Sequence, residues 1–323
     1  NYNLISDRDL MTYTTRKLFY FCSLLCLCLS SYSFGEPVKK LTVIYPDVDA
    51  PHDTTFSQII QGIRAEFKGQ IIPLKLPRNF DVKQVSKNVL TSQVIILGKR
   101  GVSIANEIYQ QKSVVIGALP LIPTQMSGVS LMASPTVLFK ALGELAPQVN
   151  IINVVYSASS VWLIEDAKIV AKNRGYILKA ILVDDLKMAV KTYNNLFEKN
   201  TSENVAIWLP LDPITINEKI ILPTLLEKAW EKKIVVFSSK PTHAKRGALF
   251  SVLPDNRGLG KQLIKLMSLL NSDDAIKTSK NNNLVVVKPL NALKLAVNLR
   301  TASHLGYNYQ PYMLSSFSQT FPK

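Results

Sequence analysis

The strongest constraint on how this chain can fold lies between residues 150 and 210. An apolar run, IINVVY at residues 151–156, breaks into small polar residues at 157–160 and gives way to apolar positions at helical spacing: Val161, Ile164, Ala167 and Val170. That is a strand feeding a helix. A second apolar run at 176–183 precedes another helical pattern at 186–197, and a third run, VAIWL at 205–209, stops at Pro210. Alternation of strand and helix over one such stretch specifies a parallel sheet covered by helices.

The same plan occurs earlier. Strands are expected at 41–45, 71–76 and 94–97, with helices at 54–67 and 82–90 between them. At 323 residues the chain is long enough for two cores of this kind, since one domain commonly takes ~100–200 residues. A hydrophobic content of 47% with 19% charged residues is ordinary for a folded protein and suggests neither global disorder nor a polytopic membrane protein.

The first 35 residues read differently. Arg16 and Lys17 follow Met11, about a dozen mostly apolar residues run from 18 to 29, and small residues at 31–35 offer cleavage positions after Ser33 or Gly35. This is the pattern of a secretory signal peptide, its apolar core being shorter than the ~20 residues a spanning helix needs. Residues 1–10 are expected to be extra sequence upstream of a start at Met11. Cys22, Cys26 and Cys28 all lie in the apolar core, so the expected mature chain has no cysteine and hence no disulfide, thiol nucleophile or cysteine-bound metal.

Net charge is +15, and residues 1–35, with three basic and two acidic side chains, account for only one unit of it, leaving +14. Such a balance favours anionic partners. The lysines are scattered through helices rather than gathered into a stripe interleaved with aromatics, so no nucleic-acid surface is expected. His52, His243 and His304 show no paired zinc spacing, and neither a G-x-S-x-G serine, a P-loop nor a G-x-G-x-x-G turn occurs. The chain is not expected to be an enzyme or to carry a metal or cofactor. Gly258 and Gly260 read as helix-packing or turn residues.

Between the two halves, residues 98–101 form a turn into a helix at 102–109, followed by a strand at 114–117 and an extended crossing segment at 129–132. Ser134-Pro135 opens a helix with an N-cap residue and a proline at its first position. Beyond Pro210 the pattern predicts a helix at 215–230 containing Pro223, strands at 233–237 and 247–252, and a helix at 255–270. A polar linker at 271–283, a strand at 284–287 and a helix at 292–305 closed by Gly306 complete it. Residues 307–323 show no period.

The motifs of the later half carry a resemblance. Ile234-Val235-Val236-Phe237-Ser238-Ser239, then Lys245-Arg246-Gly247-Ala248-Leu249, then Gly260-Lys261-Gln262 are similar to the family of periplasmic substrate-binding proteins of ABC transporters that includes tryptophan and tyrosine binders. Gly128-Val129-Ser130, Ala146-Pro147, Pro210-Leu211-Asp212 and Asn298-Leu299-Arg300-Thr301-Ala302 follow the same order. The likeness spans roughly residues 40–306, and the common order carries it more than any one motif.

The resemblance implies an α/β fold of type I, with two Rossmann-like lobes holding parallel sheets and a three-crossing hinge. Lobe one would take residues 36–131 and 241–278, and lobe two residues 132–240 and 279–323, with crossings near Val129, Lys240 and Val285. It also implies capture of a small-molecule ligand and delivery to an ABC transporter membrane subunit, by a monomer in the periplasm. A sensor component or an envelope interaction protein uncoupled from transport is the alternative.

Ligands of open parallel sheets lie beyond the carboxyl ends of the strands. The residues so placed are Asp47, Lys99 and Arg100 in the first lobe, and Tyr156, Ser157, Ser159, Ser160, Asp212, Ser238, Ser239 and Lys240 in the second. The three serines before a helix suit a carboxylate, although capping that helix is their ordinary role. Lys240 stands where relatives often have an acid, and Lys99-Arg100 where they often have a small turn. The expected ligand is therefore a carboxylate or another anion rather than a zwitterion, with an amino-acid-like ligand the other option.

Overall fold

A computed structural model describes residues 39–199, 204–272 and 285–322. The expected signal peptide, its cysteines and cleavage positions, and most of the linker at 271–283 lie outside the described residues. Two sheets dominate. The first contains β1 (Lys40–Pro46), β2 (Gln70–Leu76), β3 (Gln93–Leu97), β4 (Ser113–Gly117), β5 (Gly128–Ala133) and β11 (Val287–Leu290), ordered β11-β5-β4-β3-β1-β2. The second contains β6 (Ile151–Tyr156), β7 (Ile177–Leu182), β8 (Val205–Leu209), β9 (Val235–Ser238), β10 (Phe250–Pro254), β12 (Leu293–Asn298) and β13 (Gln319–Phe321), ordered β13-β12-β10-β9-β8-β6-β7. Among the described strands all neighbours pair in parallel except β10 with β12.

Central strands such as β3, β8 and β9 are buried on both faces, as parallel sheets between helices must be. Alternate residues feed opposite cores. In the first sheet Leu41, Val43, Ile95 and Leu97 pack with α1 (His52–Glu66) and α9 (Asn256–Leu270), while Ile44, Val94 and Ile96 face α3 (Val102–Ile108), with α2 (Val82–Asn88) beside it. In the second, Ile152, Val154, Trp208 and Phe237 pack with α4 (Pro135–Leu145) and α5 (Val161–Asn173). On the other face Val155, Ile207, Leu209 and Val236 meet α6 (Leu186–Lys199) and α7 (Ile221–Glu231). Phe139 meets Trp208 and Phe237 edge-on, and Phe237 stacks on Phe250.

That last stack corrects the expected lobe boundary. The resemblance puts residues 241–278 in the first lobe, yet β10, with Phe250 fully buried, pairs with β9 and β12 in the second sheet. The short helix α8 (Thr242–Arg246) stays there too, its Ala244 carbonyl held by Asn298 Nδ2 at 2.8 Å. The chain passes to the first sheet only at Pro254–Asp255, where α9 begins. The crossing expected near Lys240 thus lies about fourteen residues later, because an aromatic core position outweighs the polar break at 238–240.

The other two crossings fall at Ala133–Ser134 and between Leu290 and Leu293. All three are laced together: Ser134 N donates to Leu290 O and Asp255 N to Ala292 O, both at 2.9 Å. Two further expectations fail locally. The helix expected at 292–305 is β12 followed by α10 (Leu299–His304), since Leu293, Leu295 and Val297 alternate with period two and Asn298 Oδ1 caps Thr301 N at 2.9 Å. The helix expected at 215–230 starts only at Ile221, which puts Pro223 in its first turn, where a missing N–H costs nothing. The patternless tail contains α11 (Pro311–Ser316) and β13.

The glycines of α9 are packing residues. A Cβ at Gly260 would lie 2.1 Å from Ile59 O, and one at Gly62 would lie 2.0 Å from Arg257 O, so α1 and α9 touch backbone to backbone at these two points. Alanine is the better helix former by about 1 kcal/mol, so Gly260→Ala separates propensity from contact. We expect a net destabilisation of about 1–3 kcal/mol from overpacking in urea denaturation, whereas Ser268→Ala on the exposed side of α9 should be neutral or slightly stabilising.

Candidate functional site

Each sheet has one place where the strand order reverses, and crevices at such points receive ligands in open α/β sheets. In the first sheet it lies between β1 and β3, and in the second between β6 and β8. Asp47 follows β1, and Lys99 and Arg100 follow β3. Tyr156 to Ser160 follow β6, and Asp212 follows β8. The folded chain therefore brings the sequence-derived candidates to two rims, one per sheet, with Ser238 to Lys240 at the end of neighbouring β9.

The crevice of the second sheet is bridged by the chain itself. Asp212 is only 2% exposed. Its Oδ2 accepts from Ser157 N and Ser157 Oγ, both at 2.8 Å, and from Ser160 Oγ at 2.9 Å; its Oδ1 accepts from Ile214 N at 3.1 Å and Thr215 N at 3.3 Å. The carboxylate sits at the start of the helical segment leading into α5, where free N–H groups favour an anion. Ser157 and Ser160 make no direct side-chain cap, but hold this internal carboxylate instead. Ser159 is exposed, with Oγ 3.0 Å from Ser157 Oγ. Tyr156 is buried in the core against α5.

Beside it, β9 ends in a second network. Ser239 Oγ accepts from the buried Trp208 indole at 3.0 Å. Ser238 Oγ accepts from Lys240 N at 3.0 Å, lies 3.3 Å from Leu209 O, and meets His243 Nδ1 at 2.8 Å. The Lys240 ammonium contacts the Glu218 carboxylate, which also has Arg246 Nη1 at 3.4 Å and His243 Nε2 at 3.6 Å. Contact with Lys240, above all, holds the Glu218 carboxyl below the usual range. Burial drives the His243 imidazole down to about 4, and Glu218 only partly offsets it.

Sequence reasoning does not single out Glu218. It falls inside the helix expected at 215–230, where an acidic residue is unremarkable, and only the irregular path of residues 210–220 turns it toward Lys240. In the first sheet Arg100 Nη1 donates to Asp47 O and Leu76 O, both at 2.8 Å, tying the ends of β1 and β2. The Asp47 carboxylate faces Lys75 at 3.6 Å in an exposed pair, and Lys99 is exposed. His304 stacks on Trp230 with centroids 3.7 Å apart. No group of three potential metal ligands occurs among the described residues, and no described helix is long and apolar enough to cross a membrane.

Residues 122–320 match the profile of the family described as ABC transporter substrate binding protein. The chain belongs to this family. It is a family of binding proteins rather than enzymes, and a solute-binding role follows. Among solved structures, this substrate-binding protein is similar to the ligand-free, open form of a substrate-binding protein with adhesive properties from Clostridium difficile. Identity is 16% over 88% of this chain and all of the other, with a TM-score of 0.54. Lower scores relate it to an ABC domain in complex with L-Trp from Streptococcus pneumonia (19% identity, 88% and 100% covered, TM-score 0.47). A periplasmic ribose ABC transporter protein from Conexibacter woesei also matches (13%, 83% and 94%, 0.44). The two sheets form the two-lobed type I binding-protein fold. No curated protein matches the sequence.

Two outcomes follow from the second rim. Asp212→Ala should cost on the order of 3 kcal/mol or more, because it strands several donors around one buried position; urea denaturation measures it. The pH dependence has a definite sign. An unfolded His243 titrates near 6.5 and the folded one near about 4, so between those values the unfolded chain binds the extra proton and stability falls as pH falls. Replacing His243 by Gln should flatten the stability profile between pH 6.5 and 4 relative to the parent protein.

Proposed function

We propose that this substrate-binding protein is exported, closes on a small solute between its two lobes, and delivers that solute to the membrane subunit of an ABC importer. The observation that supports this reading most directly is the three-stranded connection between two mostly parallel sheets, each with its switch-point crevice at the carboxyl ends of its parallel strands. Such a connection permits hinge closure, the motion by which periplasmic binding proteins enclose their ligands. The lobes on this reading are residues 40–133 with 255–272 and 285–291, and residues 134–199 and 204–254 with 292–322. The leader at residues 11–35 would direct the chain to the periplasm, where it would act as a monomer.

The ligand we propose is a small molecule with an acidic group. Lys99 and Ser159 reach solvent at the two rims, Lys240 stands at the end of β9, and the net positive charge of the chain would steer anions toward it. Asp47 would face the same space, while Arg100, Tyr156, Ser157, Ser160, Asp212, Ser238 and Ser239 would shape it from behind.

Native mass spectrometry of the protein purified from its own periplasm should reveal a retained solute, and small-angle scattering should show a smaller radius of gyration when that solute is added back. Deleting the protein should abolish uptake of the same solute. Closure without an uptake defect would remove the importer from this reading, and absence of both solute and closure would remove the reading itself. For the ligand class, calorimetry should show the solute binding at least tenfold more weakly to Lys240→Glu, ~1.4 kcal/mol. Unchanged binding would exclude an acidic group at Lys240.

A further inference from the structure

We propose that Glu218 is an internal stand-in for the ligand's carboxylate: Lys240, Arg246 and His243 form an anion site that the protein's own side chain fills in this conformation. This inference rests on the solute-binding reading and adds to it a competitor and a chemical class. Three nitrogen-bearing side chains from two consecutive segments converge on one carboxylate. Lys240 contacts Oε1, Arg246 Nη1 lies 3.4 Å from Oε2, and His243 Nε2 lies 3.6 Å from Oε1.

The imidazole is the independent sign that the site is built for an anion rather than crossed by one surface ion pair. His243 is 0% exposed, and its Nε2 has no hydrogen-bond partner. Its other nitrogen is held by Ser238 Oγ at 2.8 Å, shorter than the 3.3 Å from that hydroxyl to Leu209 O. Assigning the serine proton to Nδ1 leaves the ring proton on Nε2, aimed at the carboxylate but beyond good hydrogen-bond length. A buried donor left at 3.6 Å is costly, and an anion seated slightly deeper would satisfy it.

Glu218 is well placed to leave. It belongs to the irregular segment between β8 and α7, whose path is fixed on either side of it by Asp212, and by Asn217 Oδ1 accepting from Lys219 N and Ile220 N at 3.0 and 2.9 Å. Its backbone carbonyl is held separately by Arg246 Nη2 at 3.1 Å. The carboxylate can therefore rotate into water, to which its side chain is already 36% exposed, without unravelling the loop. Exchange with an incoming carboxylate replaces one charge by another of the same kind. Lys240 and Arg246 keep a counter-ion throughout, so neither cation is stranded during the exchange. The internal group sets a threshold, since a ligand must outcompete a carboxylate tethered at high effective concentration.

Ligand-observed NMR with 13C-acetate as the probe tests this. Glu218→Gln should bind acetate at least tenfold more tightly than the parent protein, Glu218→Asp should fall between them, and adding Lys240→Gln or Arg246→Gln to Glu218→Gln should abolish the gain. Circular dichroism confirms that each variant is folded, and Glu218→Asp carries the comparison if the glutamine variant is not. Equal acetate affinity in the parent and the folded variant, or a gain that survives loss of either cation, overturns the inference. If that happens while a periplasmic solute is still retained and still closes the protein, the solute-binding reading stands and the stand-in alone is withdrawn.

Discussion

The second lobe depends on one buried carboxylate. Asp212 collects five short contacts from backbone and hydroxyl donors and thereby joins the end of β8 to the turn after β6. A polar group 2% exposed is tolerable only when its hydrogen-bonding capacity is met, and here every donor needed comes from the chain. The consequence is a crevice whose geometry is set before any ligand arrives. Arg100 does the corresponding work in the first lobe with opposite charge, clamping the carbonyls of Asp47 and Leu76.

The strand-helix alternation is legible in the sequence wherever burial is two-sided and periodic. Runs such as 151–156 and 205–209 leave no other option, and the family likeness places Asp212 and Ser238 at strand ends, where they are. The misplacements share a cause. At 241–254 a short helix and a crossing strand follow a polar break, and only the stacking of Phe250 on Phe237 reveals which core they serve. At 293–298 the alternation of Leu293, Leu295 and Val297 is brief enough to pass for one face of a helix, and the contact that decides it is pairing with β10, about forty residues away. Glu218 escapes notice for a related reason: its role depends on which residues a loop brings near it, not on its own neighbours in sequence.

The serines at 157–160 show how a sequence can suggest a chemistry without showing its partner. Hydroxyls before a helix suggest an anion or a cap, and the structure supplies an anion that is internal. Lys240 repeats the pattern with Glu218. In both networks the protein meets its own electrostatic demand, one of them in full burial and the other at a partly exposed side chain, which separates a permanent brace from a replaceable one.

The connection between the lobes has a mechanical meaning. Its strands do not cross independently: β10 and β12 remain paired up to Pro254 opposite Leu293, Ala133 pairs with Leu290, and single backbone hydrogen bonds stitch Ser134 and Asp255 to their neighbours at the crossing. Three separate cords would let the lobes twist, slide and bend alike. A laced ribbon behaves as a leaf spring, stiff against sliding in its own plane and compliant across it, so that the direction in which the lobes approach is chosen by the backbone.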